Sequence, residues 1–79
     1  MNEEQLEIGA VKLIAQWCLD NSRQRLSARQ KHVLKQHLRN WLGRWRGGVR
    51  SVEDIPPHKI AAVMPAYVQE VINHPIRNG

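Results

Sequence analysis

Several residue types are scarce in this chain of 79 residues, and their scarcity limits the kinds of protein it can be. Phenylalanine is absent and the aromatic residues are three tryptophans and one tyrosine, so aliphatic side chains must form most of the core. Cys18 is the only cysteine, which rules out an internal disulfide and a multi-cysteine metal site. A single cysteine is typical of a reducing, cytoplasmic location.

The sequence also lacks a long apolar run. No stretch approaches the roughly 18 consecutive apolar residues of a membrane span. Carboxylates stand near the start of the chain, where a signal peptide would carry basic residues. We therefore expect a soluble chain with no membrane span, and its length allows one small domain.

Motifs typical of enzymes and metal sites are missing as well. Gly47 and Gly48 have neither the spacing nor the Lys-Ser/Thr ending of a phosphate-binding loop. His32 and His37 are five residues apart, which places them on different faces of a helix and not at a metal-ligand spacing. Cys18 falls within an apolar helical pattern, where a lone cysteine is far more often a small core residue than a nucleophile. We predict a protein that is not an enzyme, with no catalytic residue, no metal site and no cofactor.

Acidic residues are absent from the middle of the chain. Between Asn21 and Val52 there are nine lysines and arginines and no aspartate or glutamate. Residues 1–20 hold four acidic residues and one lysine, and residues 53–79 hold three acidic and two basic residues, so the positive net charge of the chain, +5, comes from the middle segment alone. Like charges in one segment repel unless something screens them. The pattern therefore indicates either an anionic partner or a solvated face whose repulsion is relieved by the acidic first helix beside it.

Capping signals predict where the first two helices begin. Asn2 is followed by Gln5 three residues later, and Ser27 is followed by Gln30, so both pairs match the capping box that opens a helix. The first helix is expected to span about residues 3–19. The second is expected to begin after Ser27 and to end at the double glycine of residues 47–48.

Prolines delimit the third predicted helix. Pro56 and Pro57 suit a helix entrance, where a missing N–H costs little. Pro65 interrupts an apolar stripe and predicts a kink, or a split into two short helices that would bring the total to four. No segment alternates with the period of a strand. We predict an all-α bundle of three helices, with one domain over residues 1–75 and a frayed tail over residues 76–79.

The second predicted helix has an apolar face and a basic face. At the helical period its apolar residues fall within an arc of roughly 100°; these residues are Leu34, Leu38, Trp41, Leu42 and Trp45. The two tryptophans are therefore expected to pack inward instead of stacking on bases, with Trp45 only half covered.

The basic face predicts binding to nucleic acid through phosphate contacts, with DNA or RNA left open. The expected central contacts are Arg29, Lys35, Arg39 and Arg46, and the expected marginal contacts are Arg23, Arg25, Arg44 and Arg50. A DNA-binding helix-turn-helix matches poorly, because the turn lacks a glycine and the following helix is long and basic. We interpret the chain as a small regulatory module without sequence readout.

A protein partner is the alternative. Three apolar stripes in so short a chain suit a homodimer, an adaptor or an inhibitor of a larger protein, with the basic face docking an acidic surface. The exposed apolar surface is then expected around Trp45, Tyr67 and Val71. A basic amphipathic helix lying on a membrane surface is a third possibility, but the other helices offer apolar stripes that compete for the same face.

Overall fold

Three α-helices make up most of the computed structural model, which describes residues 2–45 and 49–73. α1 spans Glu3–Asp20, α2 spans Ala28–Leu42 and α3 spans Pro57–Asn73, with one 3-10 turn at Val52–Asp54 before α3. The described residues contain no strand. α2 packs against α1 on one side and against α3 on the other. The predicted all-α, three-helix fold is confirmed, while Arg46 and the predicted tail lie outside the described residues.

Both predicted capping boxes are present. The Gln5 N–H donates to Asn2 Oδ1 at 2.8 Å, and the Asn2 N–H donates back to Gln5 Oε1 at 3.0 Å. The same exchange links Ser27 and Gln30, at 3.1 and 2.8 Å. These bonds satisfy backbone donors that an open helix end would leave unpaired, which explains why α1 and α2 begin at Glu3 and Ala28.

The end of α2 differs from the prediction. α2 ends at Leu42 with Gly43 as its C-cap, several residues before the double glycine at 47–48, which lies outside the described residues. The N–H groups of residues 44 and 45 bond to carbonyls three residues back, at 3.1 and 3.0 Å, so the chain tightens into turns there. Glycine is a poor helix former, and at Gly43 this preference outweighs the apolar pattern that continues to Trp45.

α3 continues through Pro65 as a single helix, so the split form is not adopted. The helix begins at Pro57, as the paired prolines predicted. Pro65 has no N–H to donate to the carbonyl of Ala61, and both residues are exposed.

The core is aliphatic and lies around α2. Leu34, Leu38 and Leu42 are fully buried at its centre, and residues from every other element surround them. The surrounding buried residues are Ala10, Ile14, Leu26, Trp41, Val52, Ile55, Met64, Val68 and Val71. No charged or polar residue is buried among those the structure describes. The acidic and basic residues of α1 and α2 therefore meet at the edge of the helix pair.

Candidate nucleic-acid interface

The two cations at the middle of α2 form ion pairs with α1. Lys35 Nζ lies 2.8 Å from Glu7 Oε1, and Arg39 Nη2 lies 2.6 Å from Glu3 Oε2. A weaker contact of 3.4 Å joins Arg39 Nη1 to Glu7 Oε2. The side chains of Lys35 and Arg39 are only 25% and 29% exposed. Two of the four predicted central contacts are thus already balanced by carboxylates within the fold.

This pairing follows from the antiparallel arrangement of the two helices. Stepping four residues along α1 from Glu3 to Glu7 corresponds to stepping four residues back along α2 from Arg39 to Lys35. Residues four apart lie on one helix face, so the two carboxylates and the two cations form two adjacent ion pairs. The hydrogen bond from Lys35, with smaller contributions from the charges of Lys35 and Arg39, lowers the pKa of Glu7. The Glu7 carboxylate therefore stays ionised, and paired with Lys35, to a lower pH than a free glutamate would.

Other cations cluster where α1 turns into α2. Arg23 and Arg25 lie in the connecting segment and Arg29 and Lys31 lie in the first turn of α2, and all four are exposed. We call these four residues the basic corner. Arg23, Arg25 and Lys31 form no ion pair with the described part of the chain. Lys31 was not among the predicted contacts, although it belongs to the same acid-free run.

A second basic region lies at the opposite end of α2. Arg44 and Lys59 line a shallow depression next to Trp41 and Trp45. The backbone N–H of Arg50 donates to Asp54 Oδ2 at 3.0 Å, while its side chain is exposed. The 15 residues of α2 span about 22 Å. The predicted basic face therefore consists of two groups of exposed cations, one at each end of α2. The cations between them, Lys35 and Arg39, are paired with carboxylates of α1.

The tryptophans of the central segment pack inward, as predicted. Trp41 is 8% exposed, and Trp45 is half-buried and meets it edge to face, with ring centroids 5.7 Å apart. Base stacking by Trp41 is incompatible with this burial.

The apolar surface expected around Trp45, Tyr67 and Val71 needs correction. Val71 is only 2% exposed, because it lies on the side of α3 that packs into the core. Tyr67 is half-buried and stacks on His37, with ring centroids 5.5 Å apart and ring planes 6° from parallel. A partner cannot contact Val71 without unfolding this region.

Two apolar surfaces that the sequence reasoning missed lie on α1. Ile8, Val11 and Leu19 are exposed on its outer face. A groove of about 680 Å³ runs between α1 and α3, with Trp17 and Met64 among its lining residues. The apolar pattern of α1 is too wide for one contact face, and this width was the available signal for the outer stripe. The groove depends on the angle between helices and left no signal in the sequence.

The described residues show no group of three or more histidine, cysteine or acidic side chains that could hold a metal ion. Cys18 is half-buried against the core. Among the helices described, none has both the length and the apolar character needed to cross a bilayer.

No protein-family model, curated protein or solved structure matches the chain.

Proposed function

We propose that the protein binds nucleic acid through phosphate contacts made by the basic corner. One observation carries this proposal: four exposed cations occur within nine consecutive residues, in a segment that contains no acidic residue. The nearest acidic side chain along the chain, Asp20, accepts a hydrogen bond from Gln16 at 3.1 Å. Glu3 and Glu7 are engaged by Lys35 and Arg39. Arg23, Arg25 and Lys31 are therefore exposed cations without an ion pair to the described part of the chain.

The chemistry of the corner suits phosphate more than base edges. Arginine presents a fork of N–H donors that matches two phosphate oxygens, and lysine supplies a compact charge. Such contacts position a duplex or a single strand without reading its sequence. Three or four contacts give a slope of log affinity against log salt of about −3 on duplex DNA. Affinity should then fall roughly 60-fold between 50 and 200 mM salt.

The test is a fluorescence anisotropy titration against a duplex DNA, a single-stranded DNA and an RNA of equal length over a range of salt concentrations. The double variant R23Q/R25Q removes two corner charges outside the helices, and R44Q/R50Q removes the same charge from the opposite end as a matched control. We expect R23Q/R25Q to bind at least tenfold more weakly, with a slope shallower by about 2, because each lost phosphate contact changes the slope by about 1. The control should change little.

Two results would overturn the proposal. Absence of salt-dependent binding to all three nucleic acids would exclude it. Equal losses in the two double variants would show that net charge, and not the corner, governs binding. Circular dichroism of each variant confirms that the helices persist.

A second candidate function, interaction with another protein, is supported by a separate observation. The outer face of α1 exposes Ile8, Val11 and Leu19 to 46%, 50% and 76%. A capture experiment at high salt, with an I8E/L19E variant as control, tests it, because apolar contacts survive salt that removes phosphate binding. Equal recovery of every bound protein by both forms would exclude this candidate.

A further inference from the structure

We propose that the outer face of α1 is a homodimer interface on which the α1 helices of two copies pack antiparallel about a twofold axis. The inference rests on the second candidate function and identifies its partner as a second copy of this chain.

The first support is a continuous apolar stripe on one helix face. Ile8, Val11, Ala15 and Leu19 follow one another at intervals of three, four and four residues, which brings them to the same side of a helix. All four are exposed. Ile8, Val11 and Leu19 are also the whole set of large apolar side chains exposed in the described residues. The exposed apolar area of the described chain is thus concentrated on one face about 16 Å long.

The second support is the shape of the surface next to the stripe. A depression of about 470 Å³ separates α1 from α2, with Val11, Ala15 and Cys18 on one side and Lys31 on the other. The small side chain of Ala15 lets a second helix approach closely. A large apolar side chain from an approaching helix can enter this depression, in the manner of a knob in a hole.

The third support is charge complementarity. It favours a second copy of this chain as the partner and an antiparallel orientation of the two α1 helices. The first half of α1 carries Glu4 on the stripe side, and Glu4 forms no ion pair among the described residues. The other end of the stripe meets the basic corner, where Arg25 and Lys31 line a depression with Cys18. A parallel pair would place acidic ends together and basic corners together. An antiparallel pair places Glu4 of each protomer next to Arg25 and Lys31 of the other.

A twofold arrangement makes the patch self-complementary, so every contact occurs twice. With the axis between Val11 and Ala15, Val11 of one protomer packs on Ala15 of the other, and Ile8 packs near Cys18. One helix face is smaller than the roughly 800 Å² per partner of a standard interface. We therefore expect a dissociation constant in the micromolar range or weaker.

The experiment is sedimentation equilibrium from 10 µM to 1 mM at high salt. The average mass is expected to rise with concentration toward twice 9.2 kDa. V11E/L19E should remain monomeric at every concentration, because it places carboxylates in the apolar stripe. Q69E adds a carboxylate at an exposed position of α3 and should dimerise like the parent.

Two further variant sets test the direction of pairing. At low salt, where exposed charges are not screened, E4K and K31E should each weaken the dimer, and E4K/K31E should restore part of the loss because the exchanged charges face each other again. Residues 8 and 18 lie about 15 Å apart on one helix, so a disulfide between an introduced cysteine at position 8 and Cys18 must join two chains. I8C should therefore form a covalent dimer on oxidation, and I8C/C18S should not.

A monomeric parent at 1 mM would overturn the inference, as would covalent dimerisation of I8C/C18S to the same extent as I8C, because a disulfide between the two introduced cysteines indicates parallel helices. These failures are distinct from failure of the second candidate function. A monomer that still captures a partner at high salt through the stripe, with capture lost in I8E/L19E, would retain that function with a different partner.

Discussion

At the scale of single residues, Glu53 is held by hydrogen bonds from two side chains. Its Oε1 accepts a hydrogen bond from Lys12 Nζ at 2.7 Å, and Ser51 donates a second. These bonds, the one from Lys12 above all, lower the pKa of Glu53 from 4.5 to about 2. A carboxyl group with a lowered pKa stabilises the fold above its pKa in the unfolded chain, and this contribution is lost as the pH falls through the folded value.

The resulting prediction concerns acid stability. The urea midpoint should fall as the pH drops from about 4.5 to about 2, because Glu53 must be protonated and loses its bond to Lys12. A Lys12→Met variant should raise the pKa of Glu53 and flatten this part of the pH profile. NMR titration of the Glu53 carboxyl group measures both effects. A parent protein whose Glu53 titrates near 4.5 would contradict the prediction.

Gly9 shows how closely α1 approaches the rest of the molecule. A Cβ atom built on Gly9 would lie 3.2 Å from Leu42 Cδ1 and 3.4 Å from Val52 Cβ. Leu42 is fully buried and cannot move aside into solvent.

A larger side chain at this position should destabilise the fold. Gly9→Val is expected to cost about 1–3 kcal/mol of unfolding free energy by overpacking. Gly9→Ala adds one atom only, and its gain in helix propensity of up to about 1 kcal/mol opposes the contact, so its stability should lie above that of Gly9→Val. Denaturant unfolding of the three proteins measures the series. A valine variant as stable as the parent would show that α1 does not pack this closely against Leu42 and Val52 at Gly9.

At the scale of elements, the antiparallel packing of α1 on α2 places complementary charges side by side. The acidic first turns of α1 lie beside the basic middle of α2. The ion pairs Glu7–Lys35 and Glu3–Arg39 can both form only when the helices run antiparallel with this alignment. The two ion pairs relieve the repulsion at Lys35 and Arg39, two of the nine cations in the acid-free segment. Lys35 and Arg39 therefore form ion pairs between α1 and α2 in the absence of a bound partner.

Charge reversal in the Glu7–Lys35 ion pair should therefore lower the stability of the fold. K35E places a carboxylate next to Glu7 and E7K places an ammonium group next to Lys35, so each should lower the thermal midpoint. The double variant E7K/K35E should recover part of the loss because the pair is re-formed with opposite polarity. Thermal melts followed by circular dichroism complete the cycle. Additive losses in the double variant would show that the two residues do not interact.

At the scale of the whole molecule, the position of α2 between α1 and α3 decides which surfaces remain open. α2 packs its apolar residues against both α1 and α3. This arrangement leaves a groove between α1 and α3, and the outer face of α1 stays uncovered. The cations are distributed in the same way. Lys35 and Arg39 are paired with carboxylates of α1, whereas the described cations at the two ends of α2 are exposed.

The all-α class, the two capping boxes, the start of α3 at Pro57 and the leucine core of α2 could be read from the sequence. Each of them depends on residues close together in the chain, where helical period and local hydrogen bonds decide the outcome. The inward packing of Trp41 followed from the same periodicity.

Only the tertiary structure decided which cations are balanced by Glu3 and Glu7, that Val71 is buried and that Val11 is exposed. These properties depend on which helix faces meet, and that is set by contacts between residues about 30 positions apart or more. A count of charges or a helical wheel describes one helix without its neighbours. The sequence by itself determined a basic three-helix protein, and the packing of α1 on α2 determined where its basic and apolar surfaces remain accessible.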